Sequence, residues 1–275
     1  MSLAVVLKGP EGLVLAADSR VTLSALQPAP QGAPAPFQLL PTYFDNATKL
    51  LSLQEHPHLG IVTYGQGAIS QEHPRTAQGY IPEFEKHLRS KTAKAKRLSV
   101  KSVALELGRF FKKQWKAAGM PIGAEPMVFL VAGFDEGAPH GKVFEVSVPD
   151  KVTPVEKTAN DFGLSWGGQT FLAERLLQGV APRAIELAQA NLNLSEQQAT
   201  ELIETWRAQL SLPIPYGLLP LQDCVDLATF LVYMTASVMT WTIGIQGVGG
   251  EIDVATITPT GNFQSIQHKK IHPRT

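Results

Sequence analysis

Apolar residues crowd into two short runs near the start of the chain, LAVVL at 3–7 and LVLAA at 13–17, separated by Gly9-Pro10-Glu11-Gly12. Two strand-length runs around a Gly/Pro turn predict a β-hairpin. Further strand-like runs lie at about 48–53, 60–64, 126–133 and 142–148, and a short one precedes Trp166. Residues 251–259 and 262–267 predict a last hairpin around Thr260-Gly261. A helical period takes over at about 76–88 and again at 100–118. In the second stretch Val103, Leu107, Phe110, Phe111 and Trp115 line one face, with Lys101, Arg109, Lys112 and Lys116 opposite. A helix-rich block covers 169–241, and within it Ser195 followed three positions later by Gln198 is a capping-box start.

The order is strands, two helices, strands, helices, strands. It predicts an α+β protein whose helices cover both faces of a mostly antiparallel two-sheet core. No repeat or clear linker interrupts it, so residues 1–275 read as a single domain. Residues 27–41 are rich in Pro, Ala and Gly and predict an inserted surface loop that holds no regular ladder. Residues 194–220 predict an added helix and loop.

Composition narrows the function classes. The chain is 44% apolar, 17% charged and formally neutral over 275 residues, enough for a large core and too balanced for binding nucleic acid through a basic surface. The basic run at 86–101 has no stacking aromatics and reads as a solvated helix connection. Cys224 is the only cysteine, which leaves no disulfide and no cysteine-based metal site and fits a reducing compartment. His56 and His58 flank a proline, and His268 and His272 stand four apart without evident carboxylate partners, so no metal site is expected. Lys8, Gly9, Pro10 and Glu11 break the first apolar run too early for a signal peptide. Residues 227–250 carry no charge but are dotted with Thr and Ser, which predicts a core helix buried on both sides rather than a membrane span. The expectation is a soluble cytoplasmic protein with no cofactor.

Ser2 stands directly behind Met1. Once Met1 is removed, one residue carries a hydroxyl and a free α-amine, a nucleophile with its own general base.

The run at 3–20 (LAVVLKGPEGLVLAADSR) resembles the start of a mature proteasome β-subunit. TKL at 48–50, GIVTYG at 60–65, VAGFD at 131–135, WGGQTF at 166–171 and GGEIDV at 249–254 continue the resemblance in order. It implies an N-terminal-nucleophile hydrolase fold, a four-layer αββα sandwich. It implies Ser2 as nucleophile, Asp18 and Lys49 beside it, and the Gly65 N–H in an oxyanion hole. It also points to Ala47, Leu51 and Thr63 as a substrate side-chain pocket. Lys49 would lower the proton affinity of the amine, and Asp18 would keep Lys49 charged and oriented. The implied activity is peptide or amide cleavage of peptides or unfolded polypeptides inside a homo-oligomeric ring or helical assembly, with an ATPase partner left open. Gly167 stands where the family has a serine, and Ile245 and Val248 where it has an Asp and a Ser that support the nucleophile. Ser165 and Gln246 are the candidate replacements. Two other readings stay open: a non-catalytic subunit of the same fold, and a small-molecule amidase of the same class.

Overall fold

The computed structural model describes residues 2–28, 37–70, 72–91, 97–159, 161–181 and 183–270, with only the backbone described for 23–28 and 37–41. The chain opens with strands β1 (Leu3–Lys8), β2 (Leu13–Ala17), β3 (Val21–Pro28), β4 (Phe37–Phe44), β5 (Leu50–Ser52), β6 (Leu59–Gly65), β7 (Ala68–Ile69) and β8 (Arg75–Thr76). Helices α1 (Ala77–Lys91) and α2 (Val100–Ala117) follow, then β9 (Met127–Gly133), β10 (Lys142–Val148), β11 (Lys151–Lys157) and β12 (Gly163–Gly168). Helices α3 (Phe171–Gln178), α4 (Ala184–Leu192), α5 (Glu196–Leu210) and α6 (Leu221–Trp241) precede the closing strands β13 (Asp253–Ile257) and β14 (Gln264–Gln267). The protein is mixed α+β, as the patterning predicts.

Two compact units are present, one of residues 1–168 and 216–275 and one of Gln169–Pro215. The larger contains two five-stranded sheets, ordered β12-β1-β2-β13-β14 and β11-β10-β9-β6-β5. Every ladder in them is antiparallel. Strand alternation divides each strand between two environments. Ala4, Val6, Leu13, Leu15 and Ala255 of the first sheet meet Leu50, Val62, Leu130 and Ala132 of the second across a shared apolar layer. On the far side of the second sheet, Phe129, Val131 and Val146 meet the predicted stripe of α2 together with Tyr80, Phe84 and Leu88 of α1. A strand buried on both faces reads as one continuous apolar run, which is why MVFLVAG of β9 shows no alternation in the sequence.

α6 packs on β1, β2 and β13. It does so through one face, burying Cys224, Ala228, Leu231, Val232, Thr235 and Met239, while Phe230 is 48% and Tyr233 62% exposed. The expectation of a helix buried on both sides is therefore corrected. Its opposite face is exposed and carries Asp226 one turn before Phe230.

The Pro-rich region departs from expectation as well. β3 and β4 pair in register from Val21↔Phe44 to Pro28↔Phe37, and the segment 29–36 between them lies outside the described residues. A two-stranded ribbon leaves one edge of each strand unpaired, where a residue without an N–H is tolerated. β11 was not anticipated either. It lies at the edge of its sheet, the position that accepts Pro154.

The smaller unit is helical. Ser195 and Gln198 form the predicted capping box at the start of α5, and Ala199 and Ile203 are its buried residues. Gly179, at φ +69, ends α3 against Leu210. The unit spans Gln169–Pro215, inside the helix-rich block expected at 169–241.

Candidate active site

The start of β1 and the end of β2 lie side by side, and this brings Ser2 near Asp18. Ala4 pairs with Ala17, the residue before Asp18. Ala4 and Val6 face the layer between the sheets, so alternation turns Ser2 to the same side. Ser2 is 3% exposed and Asp18 1%.

A buried carboxylate needs donors, and Asp18 has four. Oδ1 accepts the Leu3 N–H at 3.0 Å and Lys49 Nζ at 2.9 Å. Oδ2 accepts the N–H groups of Arg20 and Gly249, both at 3.1 Å. The aspartate thus fixes the first strand, its own loop and the glycine pair before β13 in one arrangement. Lys49 reaches it from the other sheet, just before β5, and also donates to the Arg20 carbonyl at 2.5 Å. Burial lowers the Lys49 ammonium below its ordinary value, the nearby charges of Lys269 and Arg20 add to this, and Asp18 offsets part of it. Arg20 is held by both oxygens of Asp45, at 2.6 and 2.7 Å, and lies over the Tyr43 ring.

Ser2, Ala47, Lys49, Thr63, Tyr64 and Gly65 line one cleft. Its volume of about 20 Å³ has room for one water. Gly65 has φ +80, and a Cβ there would stand 2.2 Å from the Pro126 carbonyl oxygen, so only glycine fits. Thr63 is tied down, its hydroxyl donating to the Val128 carbonyl at 3.0 Å and its N–H to that of Lys49 at 3.0 Å.

The structure therefore gathers Ser2, Asp18, Lys49, Gly65, Ala47 and Thr63 of the predicted set. It does not bring Leu51 with them. Leu51 is fully buried in the layer under α1 and α2, because its neighbour Leu50 is the residue that faces the other sheet. Among the candidate replacements, Gln246 Oε1 accepts from Arg20 Nη1 at 3.1 Å. Ser165 pairs with Val6, further along β1 from Ser2, and its buried Oγ has no hydrogen-bond partner among the described residues. Val248 is buried and Ile245 is 40% exposed.

Tyr64 is the residue that the sequence reading missed. Its hydroxyl donates to Glu145 Oε2 at 3.2 Å, and burial, together with that carboxylate, raises the phenol well above its ordinary value. The only signal for it in the sequence is its place before Gly65. Asp253 of β13 forms a second buried ion pair with Lys269, and His268 Nδ1 lies 3.0 Å from its Oδ1.

No protein-family model matches the sequence, and no curated protein does. Solved structures do match. One is the Anbu (Gly-1) mutant from Hyphomicrobium sp. strain MC1, at 13% identity and a TM-score of 0.54, covering 98% of this chain and 86% of that one. Another is Anbu (ancestral beta-subunit) from Yersinia bercovieri, at 13% identity and a TM-score of 0.51, covering 98% and 88%. At that identity the likeness is one of fold: the chain shares the fold of these two Anbu proteins, the second described as an ancestral beta-subunit.

Proposed function

We propose that the protein is a self-assembling, proteasome-like peptidase or amidase that uses Ser2 as its nucleophile once Met1 is removed. The observation that carries this reading is the buried Asp18–Lys49 pair, 31 residues apart in sequence, whose Lys49 lines the same cleft as Ser2. The proposal includes the four-layer αββα arrangement, which the sheet-on-sheet layer and the positions of α1, α2 and α6 support.

The chemistry runs as follows. The α-amine of mature Ser2, which titrates near pH 8 by itself, takes the Oγ proton as Oγ attacks the substrate carbonyl. The positive charge of Lys49 lowers the proton affinity of the amine and stabilises the alkoxide as it develops. Asp18 holds that charge in place. The Gly65 N–H receives the carbonyl oxygen. The amine's new proton passes to the leaving nitrogen, and a water then hydrolyses the acyl-Ser2 ester.

Substrates would be peptides or unfolded polypeptides admitted to a cytoplasmic homo-oligomer, ring or helical, which would keep folded proteins from the nucleophile. Met1 lies outside the described residues. Intact-mass analysis after treatment with a β-lactone tests the reading: loss of Met1 and one added lactone mass, absent in Ser2→Ala, is the expected result. A retained Met1, or equal labelling of both proteins, refutes it. The competing reading, a non-catalytic subunit, draws on Gly167, Ile245 and Val248, which offer no polar side chains. A retained Met1 would favour it.

A further inference from the structure

Gly167 pairs with Ala4 of β1, and a Cβ at this glycine would lie 2.0 Å from Cζ and 2.4 Å from the hydroxyl oxygen of Tyr64. With the Tyr64 ring where it stands, residue 167 has no room for a Cβ, and a side chain there would have to displace the ring. The tyrosine, arriving from β6 in the other sheet, fills the space that residue 167 leaves empty.

This space adjoins Ser2. Ala4 faces the layer between the sheets, Tyr64 packs against the same layer, and Ser2 stands two residues before Ala4 on the same strand face. Gly168 lies so close to β1 that a Cβ there would fall 1.9 Å from the Ser2 carbonyl oxygen, and Ser2 and Tyr64 line one cleft. The other polar candidates are committed or distant. Gln246 is engaged by Arg20. Ser165 is opposite Val6, four residues and about 13 Å along β1 from Ser2.

The phenol is itself held. It donates to Glu145, and Glu145 pairs with Lys157 Nζ at 3.4 Å. With its proton directed at Glu145, the Tyr64 oxygen keeps its lone pairs for an incoming donor.

We infer that the Tyr64 hydroxyl, oriented by Glu145, is a positioning group for Ser2: it accepts a hydrogen bond from the mature α-amine and so aims that amine's lone pair at Oγ. This inference rests on Ser2 being the nucleophile. The tyrosine supplies from β6 what a hydroxyl at 167 would supply from β12, and its bulk is the reason that 167 is glycine.

The test uses β-lactone acylation of the full-length protein, followed by intact mass. Oγ attacks the lactone carbonyl, the ring C–O bond breaks and the Oγ proton ends on the released alkoxide, so the adduct carries the whole lactone mass. Tyr64→Phe keeps the ring and removes the oxygen. Its maximal acylation rate is expected to fall about tenfold or more, with the half-saturating lactone concentration within about twofold of wild type. Tyr64→Ala is expected to lose at least as much, and Tyr64→Ala combined with Gly167→Ser to recover at least about threefold over Tyr64→Ala, because a hydroxyl returns to the vacated space. Gly167→Ser alone clashes with the ring and gains nothing. Full-rate Tyr64→Phe with inert Ser2→Ala overturns the positioning role and leaves Ser2 standing. A change confined to half-saturation makes Tyr64 a binding wall and also overturns it, as does a double variant with no recovery. Equal labelling of Ser2→Ala and wild type, or an inert wild type, overturns the nucleophile reading and this inference together.

Discussion

Asp18→Asn measures how much of the cleft's architecture depends on one carboxylate. The amide is nearly isosteric, so the change is in hydrogen bonding and charge. If its oxygen stays toward Leu3 N–H and Lys49, its NH₂ must face the Arg20 and Gly249 N–H groups, which now meet a donor. Two charge-assisted bonds at roughly 1.5–3 kcal/mol each are lost. Lys49, 6% exposed, loses its counter-charge as well, an effect that overlaps with the first and does not simply add. We expect destabilisation of about 4 kcal/mol, a large share of a typical domain's roughly 5–15 kcal/mol. At this chain length that is a fall in Tm of roughly 8 °C. Urea unfolding followed by tryptophan fluorescence reads the midpoint, and a thermal melt checks it, with no reference to any activity. A loss below about 1 kcal/mol would show that Asp18 is not a carboxylate satisfied by four donors, and the account of the site would fail with it.

Three more outcomes follow from the packing. Lys49 has a folded-state proton affinity below its unfolded value of 10.5, so between the two the unfolded chain holds the proton that the folded one has lost. Lys49 therefore costs the fold stability below its folded pKa, and stability recovers as pH rises towards 10.5. Wild type should gain stability over that alkaline window relative to Lys49→Met, and parallel urea-midpoint curves would contradict this. Lys269→Met leaves the buried Asp253 without its ammonium partner and should cost about 3–5 kcal/mol. The double variant with Asp253→Asn should cost less than the two single losses summed, and strict additivity in urea unfolding would deny the pair. Leu51→Ala should destabilise by roughly 2–5 kcal/mol as a cavity in the layer under α1 and α2, while leaving the β-lactone acylation rate unchanged. A slowed rate in folded protein would return Leu51 to the cleft.

Periodicity made much of the fold legible. The β1–β2 hairpin, the α2 stripe, β9 and β13 were all visible, because each buries an unbroken face and its residues say so, whereas β14, exposed throughout, was legible only from the Thr260-Gly261 turn before it. β11 was not, since an edge strand with KVTPVEK has little to bury and carries a proline. The β3–β4 ribbon was hidden for a similar reason: its composition reads as turn, and its pairing is a property of two segments together. Ser2 was found through its place behind Met1, and Asp18 and Lys49 through resemblance, whereas hydrophobic patterning alone marks none of them. Leu51 was misplaced by one position of strand alternation, which reverses the face. Tyr64 could not be found, because its proximity to Gly167 depends on how two sheets lie across from each other, and no local pattern encodes that.

The Asp18–Lys49 pair ties the rims of the two sheets together, one partner following β2 and the other preceding β5. The layer beside it is spaced by small side chains, among them Ala4, Ala17 and Ala132. The pair therefore works as a calliper on the gap between the sheets. A larger residue at any of these alanines would spread the jaws, and chemistry at the rim would register a packing change made in the interior.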